Sequence, residues 1–305
     1  MTNSAMVFPG MGPTDYGELA KFVMINPSAR ALFAEADAAA GFRILPAFRD
    51  AEGDYSLPAQ LAFLVGSLAL AQWADRQDPS PRLLAAGPSF GAKPLCAYVG
   101  SLSVADTVAM TVGLAELGER YFAEHHQGLV TASFARVSKA SLQPLLDRLT
   151  ADGHWHEMAC YVDEEFLMLT LAEDNLAAFQ ADIRSLGGFP LYAMRPPMHA
   201  SIFGDLRQAA LDDVLAPLTF TDPTIPVVHD STGEILRTGE QIRDLVLSTY
   251  TSPVRWPRVV ETLQQHDITD VVVAGSDALF SRVPCTVRNF TVLAASPRRA
   301  LRPAA

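Results

Sequence analysis

Residues 82–91 read Arg-Leu-Leu-Ala-Ala-Gly-Pro-Ser-Phe-Gly, an apolar run followed at once by the pattern G-x-S-x-G. The run predicts a strand, and the sequence after Gly91 can begin a helix. A strand, a tight turn and a helix around such a serine form a nucleophile elbow, in which small glycines let the strained turn expose the Ser89 hydroxyl. An ordinary strand-to-helix turn is the alternative. A phosphate-binding loop is disfavoured, because neither G-x-x-x-x-G-K-S/T nor G-x-G-x-x-G occurs.

The rest of the chain alternates strand and helix signals around this elbow. Short apolar runs predict strands at 5–8, 82–86, 225–229, 270–274 and 289–295. Helical periodicity is clearest at 59–73, 103–124, 239–250 and 257–265. This order predicts an α/β fold in which helices cover a mostly parallel sheet.

A different order of elements occupies the middle of the chain. It predicts a strand at 129–135, a helix at 139–150, strands at 157–161 and 166–171, a helix at 175–186 and a strand at 190–193. That βαββαβ order is the ferredoxin-like arrangement. We therefore expect a ferredoxin-like small subdomain at 128–195, inserted into a large subdomain formed by 1–127 and 196–305.

The composition is that of a globular protein. Of 305 residues, 49% are hydrophobic and 19% are charged, which excludes the disordered classes. The 23 Lys and Arg against 34 Asp and Glu give a net charge of −11. Such a charge repels a polyanion, so nucleic acid is not expected as a partner.

The cysteines and the apolar segments bear on location. Cys96, Cys160 and Cys285 form no CxxC pair, which suits a reducing compartment. The first residues lack the basic region of a signal peptide, and the apolar stretch 56–73 is interrupted by Pro58. We expect a buried helix there, no membrane partner and a cytoplasmic protein.

A catalytic serine needs a base, because its hydroxyl is a poor nucleophile near neutral pH. His199 follows Pro196 and Pro197, just beyond the last predicted strand of the insert, where the prolines would hold the loop rigid. The other histidines stand in polar connections without a third metal ligand at a characteristic spacing. His199 is therefore the candidate base, and no metal is expected.

Four ordered motifs resemble those of the malonyl-CoA:acyl carrier protein transacylases and the acyltransferase domains of polyketide synthases. Residues 8–12, Phe-Pro-Gly-Met-Gly, resemble the family's F-P-G-Q-G, and 87–91 resemble its G-H-S-x-G. Residues 197–200, Pro-Met-His-Ala, resemble its base motif, and 250–256, Tyr-Thr-Ser-Pro-Val-Arg-Trp, a segment before its penultimate helix. The resemblance runs from about Val7 to Pro297. It implies a hydrolase-like large subdomain with a ferredoxin-like insert.

The resemblance also implies the roles of individual residues. Ser89 would accept the acyl group and His199 would act as general base. The backbone N–H groups of Met11 and Phe90 would form the oxyanion hole. A main-chain carbonyl would orient the histidine, and the segment at His229 stands in the matching place. The expected cycle is ping-pong: an acyl thioester gives acyl-Ser89, which passes the group to a second thiol.

This chain departs from the family where a malonyl carboxylate would bind. The family's arginine, about 25 residues beyond the serine, corresponds to Leu114, and the nearest arginine is Arg120. The family's Gln in T-Q-P-A corresponds to Leu57. An unpaired buried carboxylate is costly, so we expect an uncharged aminoacyl, peptidyl or fatty acyl group. The expected acyl pocket contains Leu57, Leu114 and Met198.

The expected partners are donor and acceptor acyl carrier proteins, as for similar standalone members of macrolactam and other polyketide pathways. The acyl group would arrive on phosphopantetheine, or on coenzyme A, with no cofactor bound to the enzyme itself. Acidic carriers need a basic contact; the candidates are Arg148, Arg195, Arg298 and Arg299, unless these are simply solvated. The alternatives are a malonyl-CoA or other acyl-CoA:acyl carrier protein transacylase, an acyl-carrier hydrolase and a non-catalytic scaffold that binds carriers.

Overall fold

A computed structural model describes residues 3–277 and 279–302. In chain order, the strands are β1 (Ser4–Val7), β2 (Arg82–Ala86), β3 (Leu129–Ala135), β4 (His156–Asp163), β5 (Phe166–Ala172), β6 (Phe189–Met194), β7 (Val227–Val228), β8 (Ile235–Leu236), β9 (Val254–Arg255), β10 (Asp270–Ala274) and β11 (Thr291–Ala295). The α-helices are α1 (Tyr16–Ile25), α2 (Pro27–Ala40), α3 (Ile44–Asp50), α4 (Leu57–Gln77), α5 (Ala92–Tyr98), α6 (Val104–Glu124), α7 (Lys139–Ala151), α8 (Leu176–Ser185), α9 (Gly204–Ala209), α10 (Gly239–Thr251), α11 (Trp256–Gln265), α12 (Pro284–Val287) and α13 (Pro297–Ala300).

The larger sheet confirms the predicted α/β fold. Its described strands follow the order β11-β10-β1-β2-β7-β8, and all neighbours are parallel except β7 and β8. Beyond β1, the amide of Phe8 donates a hydrogen bond to the carbonyl of Ala86 at 2.9 Å. The chain segments that follow β1 and β2 therefore leave the same edge of the sheet side by side. Ligand sites form at that edge in open parallel sheets.

Helix α4 is the apolar core helix that the sequence predicts. Nearly all of its central residues are buried, and Gly66 lets Leu19 of α1 approach closely, because a Cβ there would lie 3.1 Å from Leu19 Cδ1. Among the described residues, it is the one helix long and apolar enough to cross a membrane, yet 72% of the relevant window is buried inside the protein. Its apolar character therefore serves packing.

The smaller sheet has the predicted ferredoxin-like order. Strands β6-β3-β5-β4 pair antiparallel, and α7 and α8 supply the two crossing helices. Phe134 of β3 and Phe179 of α8 pack edge to face in its core, with ring centroids 5.4 Å apart. The strands contributed by the insert run from Leu129 to Met194. The division of the chain at 127/128 and 195/196 stays a prediction.

Strand β9 joins the small sheet from outside the insert. It runs parallel to β4, with Cys160 opposite Val254. The sequence does not predict this strand, since two residues are too few to show an alternating pattern. This pairing ties the segment 250–256 to the small sheet, and that segment also reaches the site described next.

Candidate active site

The elbow at 87–91 has the geometry that its sequence predicts. Ser89–Gly91 form a 3-10 turn between β2 and α5, and Ser89 has a φ of 57°, in the left-handed region. Few non-glycine residues adopt this conformation unless their surroundings hold them there. Gly87 and Gly91 make it possible, because a Cβ on Gly91 would lie 2.1 Å from the Phe8 carbonyl oxygen. The close backbone contact between Gly91 and Phe8 thus fixes the turn that carries Ser89.

Ser89 and His199 form a hydrogen-bonded pair. Ser89 Oγ lies 2.8 Å from His199 Nε2, and His199 Nδ1 lies 3.0 Å from the carbonyl oxygen of Ser252. A carbonyl only accepts, so Nδ1 carries the proton and Nε2 presents a lone pair to the serine hydroxyl. The arrangement makes His199 a ready acceptor for the proton of Ser89.

The environment of His199 keeps its ring neutral. The residue is 4% exposed and has a φ of 63°. Burial lowers the pKa of His199 below its ordinary value of 6.5, against the smaller opposing effects of the Asp230 charge and the Ser252 carbonyl. A neutral imidazole at physiological pH is the form that a general base requires.

The prediction that His229 orients the base is wrong. The His229 carbonyl accepts the amide of Gly233 at 2.9 Å, inside the turn that joins β7 to β8. Ser252 takes the role instead, since it caps α10 and precedes Pro253. Proline cannot continue the helix. That proline is the signal in the sequence for a carbonyl left free at this point.

Asp230 is a part of the site that sequence reasoning missed. It is 3% exposed, and its Oδ2 accepts the backbone N–H of Ser89 at 2.9 Å. Its own carbonyl accepts the amide of Arg255 in β9 at 2.8 Å. Asp230 therefore anchors the backbone of the strained elbow at Ser89 and places a negative charge near His199. Nothing in the sequence distinguishes it from an ordinary turn aspartate.

Met11 and Phe90 lie where the oxyanion hole is expected. Both line the same cavity as Ser89. The loop before Met11 passes directly against the elbow, because a Cβ on Gly10 would lie 3.6 Å from Ser89 Cβ. Neither the Met11 nor the Phe90 amide donates a hydrogen bond to another residue within 3–277 or 279–302. Their role in binding an oxyanion stays a prediction.

A cavity of about 740 Å³ opens beside Ser89. The predicted pocket residues Leu57, Leu114 and Met198 all line it, whereas Arg120 does not. The small subdomain contributes Met194 to the wall. The cavity is nevertheless not wholly apolar. Its lining also includes the charged residues Lys93, Glu116, Glu119 and Arg195.

Known proteins resemble this chain in sequence. Residues 133–194 match the family described as the VinK acyltransferase small domain. The chain is 25% identical over 289 residues to the malonyl CoA-acyl carrier protein transacylase of Escherichia coli strain K12, covering 90% of this chain and 89% of that protein. It is 20% identical over 295 residues to the same-named protein of Bacillus subtilis strain 168, covering 92% of this chain and 89% of that one.

Solved structures of named transacylases have the same fold as this chain. FabD from Acinetobacter baumannii superposes with a TM-score of 0.83 at 23% identity, covering 95% of this chain and 93% of FabD. A malonyl-transacylase in complex with a type II PKS acyl-carrier protein superposes with a TM-score of 0.85 at 20% identity, covering 98% of this chain and 99% of that one. The protein is an acyltransferase. The predicted transacylase-like fold is confirmed along nearly its whole length.

The four arginines expected to bind a carrier lie at separate places on the acyltransferase. Arg195 lines the cavity and pairs with Glu173. Arg148 pairs with Asp182, joining α7 to α8 on the small subdomain. On α13, Arg298 and Arg299 are exposed, and Arg298 lies 4.0 Å from Glu18. Carrier binding by these side chains stays a prediction.

Within the described ranges, no group of His, Cys, Asp and Glu is arranged to hold a metal ion.

The first prediction concerns the close approach of the elbow to Phe8. Replacing Gly91 with alanine puts a Cβ against backbone atoms that cannot move cheaply, so Gly91→Ala should destabilise the acyltransferase by about 3 kcal/mol or more. Gly118→Ala is the matched control, because a Cβ at Gly118 of α6 meets nothing within 4 Å. Denaturant unfolding of both variants measures the difference. Equal stabilities would contradict the packing described here.

The second prediction concerns the charge of Asp230. Asp230→Asn keeps an oxygen for the Ser89 amide but removes the charge that opposes the effect of burial on the pKa of His199. Activity should rise with pH as His199 loses its proton, and in the variant this acidic limb should move to lower pH. The plateau should fall about tenfold, because the imidazolium formed during transfer loses a nearby anion.

Release of thiol from hexanoyl-N-acetylcysteamine across a pH series measures both effects. Asp230→Ala removes the acceptor as well as the charge, so it should also lower the melting temperature. An acidic limb that stays in place in Asp230→Asn would show that the charge does not act on His199.

Proposed function

We propose that this acyltransferase moves a non-malonyl, uncharged acyl group, such as an aminoacyl or peptidyl group, between acyl carrier proteins in polyketide biosynthesis. The observation that carries the proposal is Leu114. It is 4% exposed and lines the cavity. In the transacylase family that this chain resembles, the corresponding position in the sequence holds a carboxylate-binding arginine. A malonyl carboxylate at this wall would lose its hydration without gaining that partner.

The Ser89–His199 pair supports a two-step transfer. As Ser89 Oγ attacks the thioester carbonyl, its proton passes to His199 Nε2, and the amides of Met11 and Phe90 stabilise the oxyanion. The carbon–sulfur bond then breaks, and His199 returns the proton to the departing thiol. In the second step, a carrier thiol gives its proton to His199 and attacks the ester carbon. The Ser89 oxygen leaves with that proton.

The chemistry of thioesters explains why a pair of residues can suffice. A thioester is an activated acyl donor, so the base needs only a fixed tautomer and no additional carboxylate on Nδ1. The Ser252 carbonyl supplies that orientation at 3.0 Å. No bound cofactor enters either step, because the acyl group arrives and leaves on phosphopantetheine.

Carrier proteins are proposed as donor and acceptor on two grounds. A structural relative was solved in complex with a type II PKS acyl-carrier protein. In this chain, Arg195 stands in the cavity wall, and Arg148, Arg298 and Arg299 are exposed cations on a protein whose net charge is −11. Exposed cations at the edge of an interface speed the encounter with an acidic partner. A cytoplasmic location remains the expectation drawn from the sequence.

Intact-mass analysis after exposure to a panel of loaded carriers and acyl-coenzyme A compounds tests the proposal. Aminoacyl or peptidyl carriers should add the acyl mass to Ser89 and pass it to a second carrier, and Ser89→Ala should show no adduct. Rapid loading from malonyl-coenzyme A would indicate a malonyl transacylase instead. Release to water alone would indicate a hydrolase, and no adduct with any donor a binding scaffold.

The Leu114→Arg variant tests the selectivity directly. It places a guanidinium in the cavity wall, so malonyl loading should rise relative to the preferred acyl group. Leu114→Met is the control, because it keeps the wall apolar at nearly the same volume. If both variants load malonate as the wild type does, Leu114 does not exclude the carboxylate.

A further inference from the structure

Lys93 is a cation in the cavity wall that the transfer steps do not use. It follows Ser89 by four residues, at the start of α5. Its Nζ lies 4.4 Å from the centroid of the Phe90 ring. Among the residues that the structure describes, no carboxylate lies within 4.0 Å of it and no side chain or backbone oxygen accepts a hydrogen bond from it. The three N–H donors of the Lys93 ammonium therefore have no protein acceptor among the described residues.

Keeping a lysine in this position has a cost. Burial lowers the pKa of Lys93 from 10.5 to about 8, because the charged form has lost most of its water. The Phe90 ring offsets part of that loss through a cation–π contact. A methionine or leucine would fill the same wall without this penalty. A hydrogen-bond acceptor on the bound acyl chain would explain the choice of lysine.

Building on the proposed function, we propose that Lys93 determines which acyl group is taken, by donating a hydrogen bond to a neutral carbonyl oxygen located a few bonds from the thioester. An amide or keto oxygen fits this description. Lys93 lines the same cavity as Ser89 and Phe90, so a bound acyl chain would pass beside it.

The other charges of the cavity favour a neutral acceptor over a carboxylate. Glu116 and Glu119 of α6 share the lining and would repel an anion. Arg195, the other lining cation, is already paired with Glu173. A single lysine also lacks the two-pronged geometry with which arginine holds a carboxylate. Lys93 would therefore bind a neutral oxygen, whereas the arginine that the family has at the position of Leu114 binds a carboxylate.

Three N-acetylcysteamine thioesters test this role. N-acetyl-β-alanyl and hexanoyl groups have matched chain length, but only the first carries an amide carbonyl; succinyl carries a carboxylate. The wild type should acylate Ser89 faster from the N-acetyl-β-alanyl donor than from either of the others. Lys93→Met should lower kcat/KM for that donor at least about tenfold, the usual effect of losing a hydrogen bond from a charged donor. The hexanoyl rate should stay within about twofold.

Lys139→Met is the matched control. Lys139 also lies over an aromatic ring, with Nζ 5.7 Å from the Tyr161 centroid, but it does not line the cavity. It should leave all three rates unchanged. Unchanged hexanoyl turnover in Lys93→Met also shows that this variant is folded.

Two results would overturn the proposal. Equal losses with the amide and hexanoyl donors would make Lys93 a structural residue. A wild type that prefers succinyl, with that preference lost in Lys93→Met, would make Lys93 a carboxylate partner. Either result leaves the acyltransferase function standing as long as Ser89 is acylated. Absence of acylation from every donor, carriers included, would instead refute the proposed function.

Discussion

The hydrogen bond between Ser89 Oγ and His199 Nε2 depends on two residues held in the left-handed region, with φ values of 57° and 63°. Neither conformation is favourable by itself, so the surroundings must impose both. On the serine side, the contact of Gly91 with Phe8 and the Asp230 carboxylate fix the turn. On the histidine side, the neighbouring Ala200 amide donates to the carbonyl of Tyr250 at 3.1 Å. Contacts on both sides therefore hold the two residues in the geometry that this hydrogen bond requires.

Some of the contacts between the two subdomains lie next to the base. The carboxylate of Glu157 in β4 accepts both the amide and the hydroxyl of Ser201, at 2.9 Å and 2.8 Å, two residues after His199. Strand β9 pairs with β4 directly beyond Ser252, whose carbonyl orients the imidazole. The large subdomain thus carries the serine, and contacts with the small subdomain support the segments on either side of the histidine site. A shift between the subdomains would change the width of the cavity, because the small subdomain contributes Met194 to its wall.

The sequence predicts the features that local patterns encode and misses those that only the fold determines. The elbow and the ferredoxin-like insert rest on local patterns of glycine and of apolar periodicity, and the structure contains both. Ser89 and His199 were found because their side chains carry the chemistry. The Ser252 carbonyl was assigned to His229 because every residue has a carbonyl, and only the fold decides which one is free. Asp230 and Lys93 escaped notice because their importance comes from burial beside the elbow, which no local pattern shows.

The reactivity of Ser89 depends on a buried, neutral His199 with its proton on Nδ1. A nitrogen-15 NMR titration of histidine-labelled protein tests it, with the His199 signals assigned by their loss in His199→Ala. We expect a protonated Nδ1, an unprotonated Nε2 and a pKa of His199 below its ordinary value of 6.5. A proton on Nε2 at neutral pH, or a pKa above 6.5, would contradict it, because the imidazole could not then accept the serine proton.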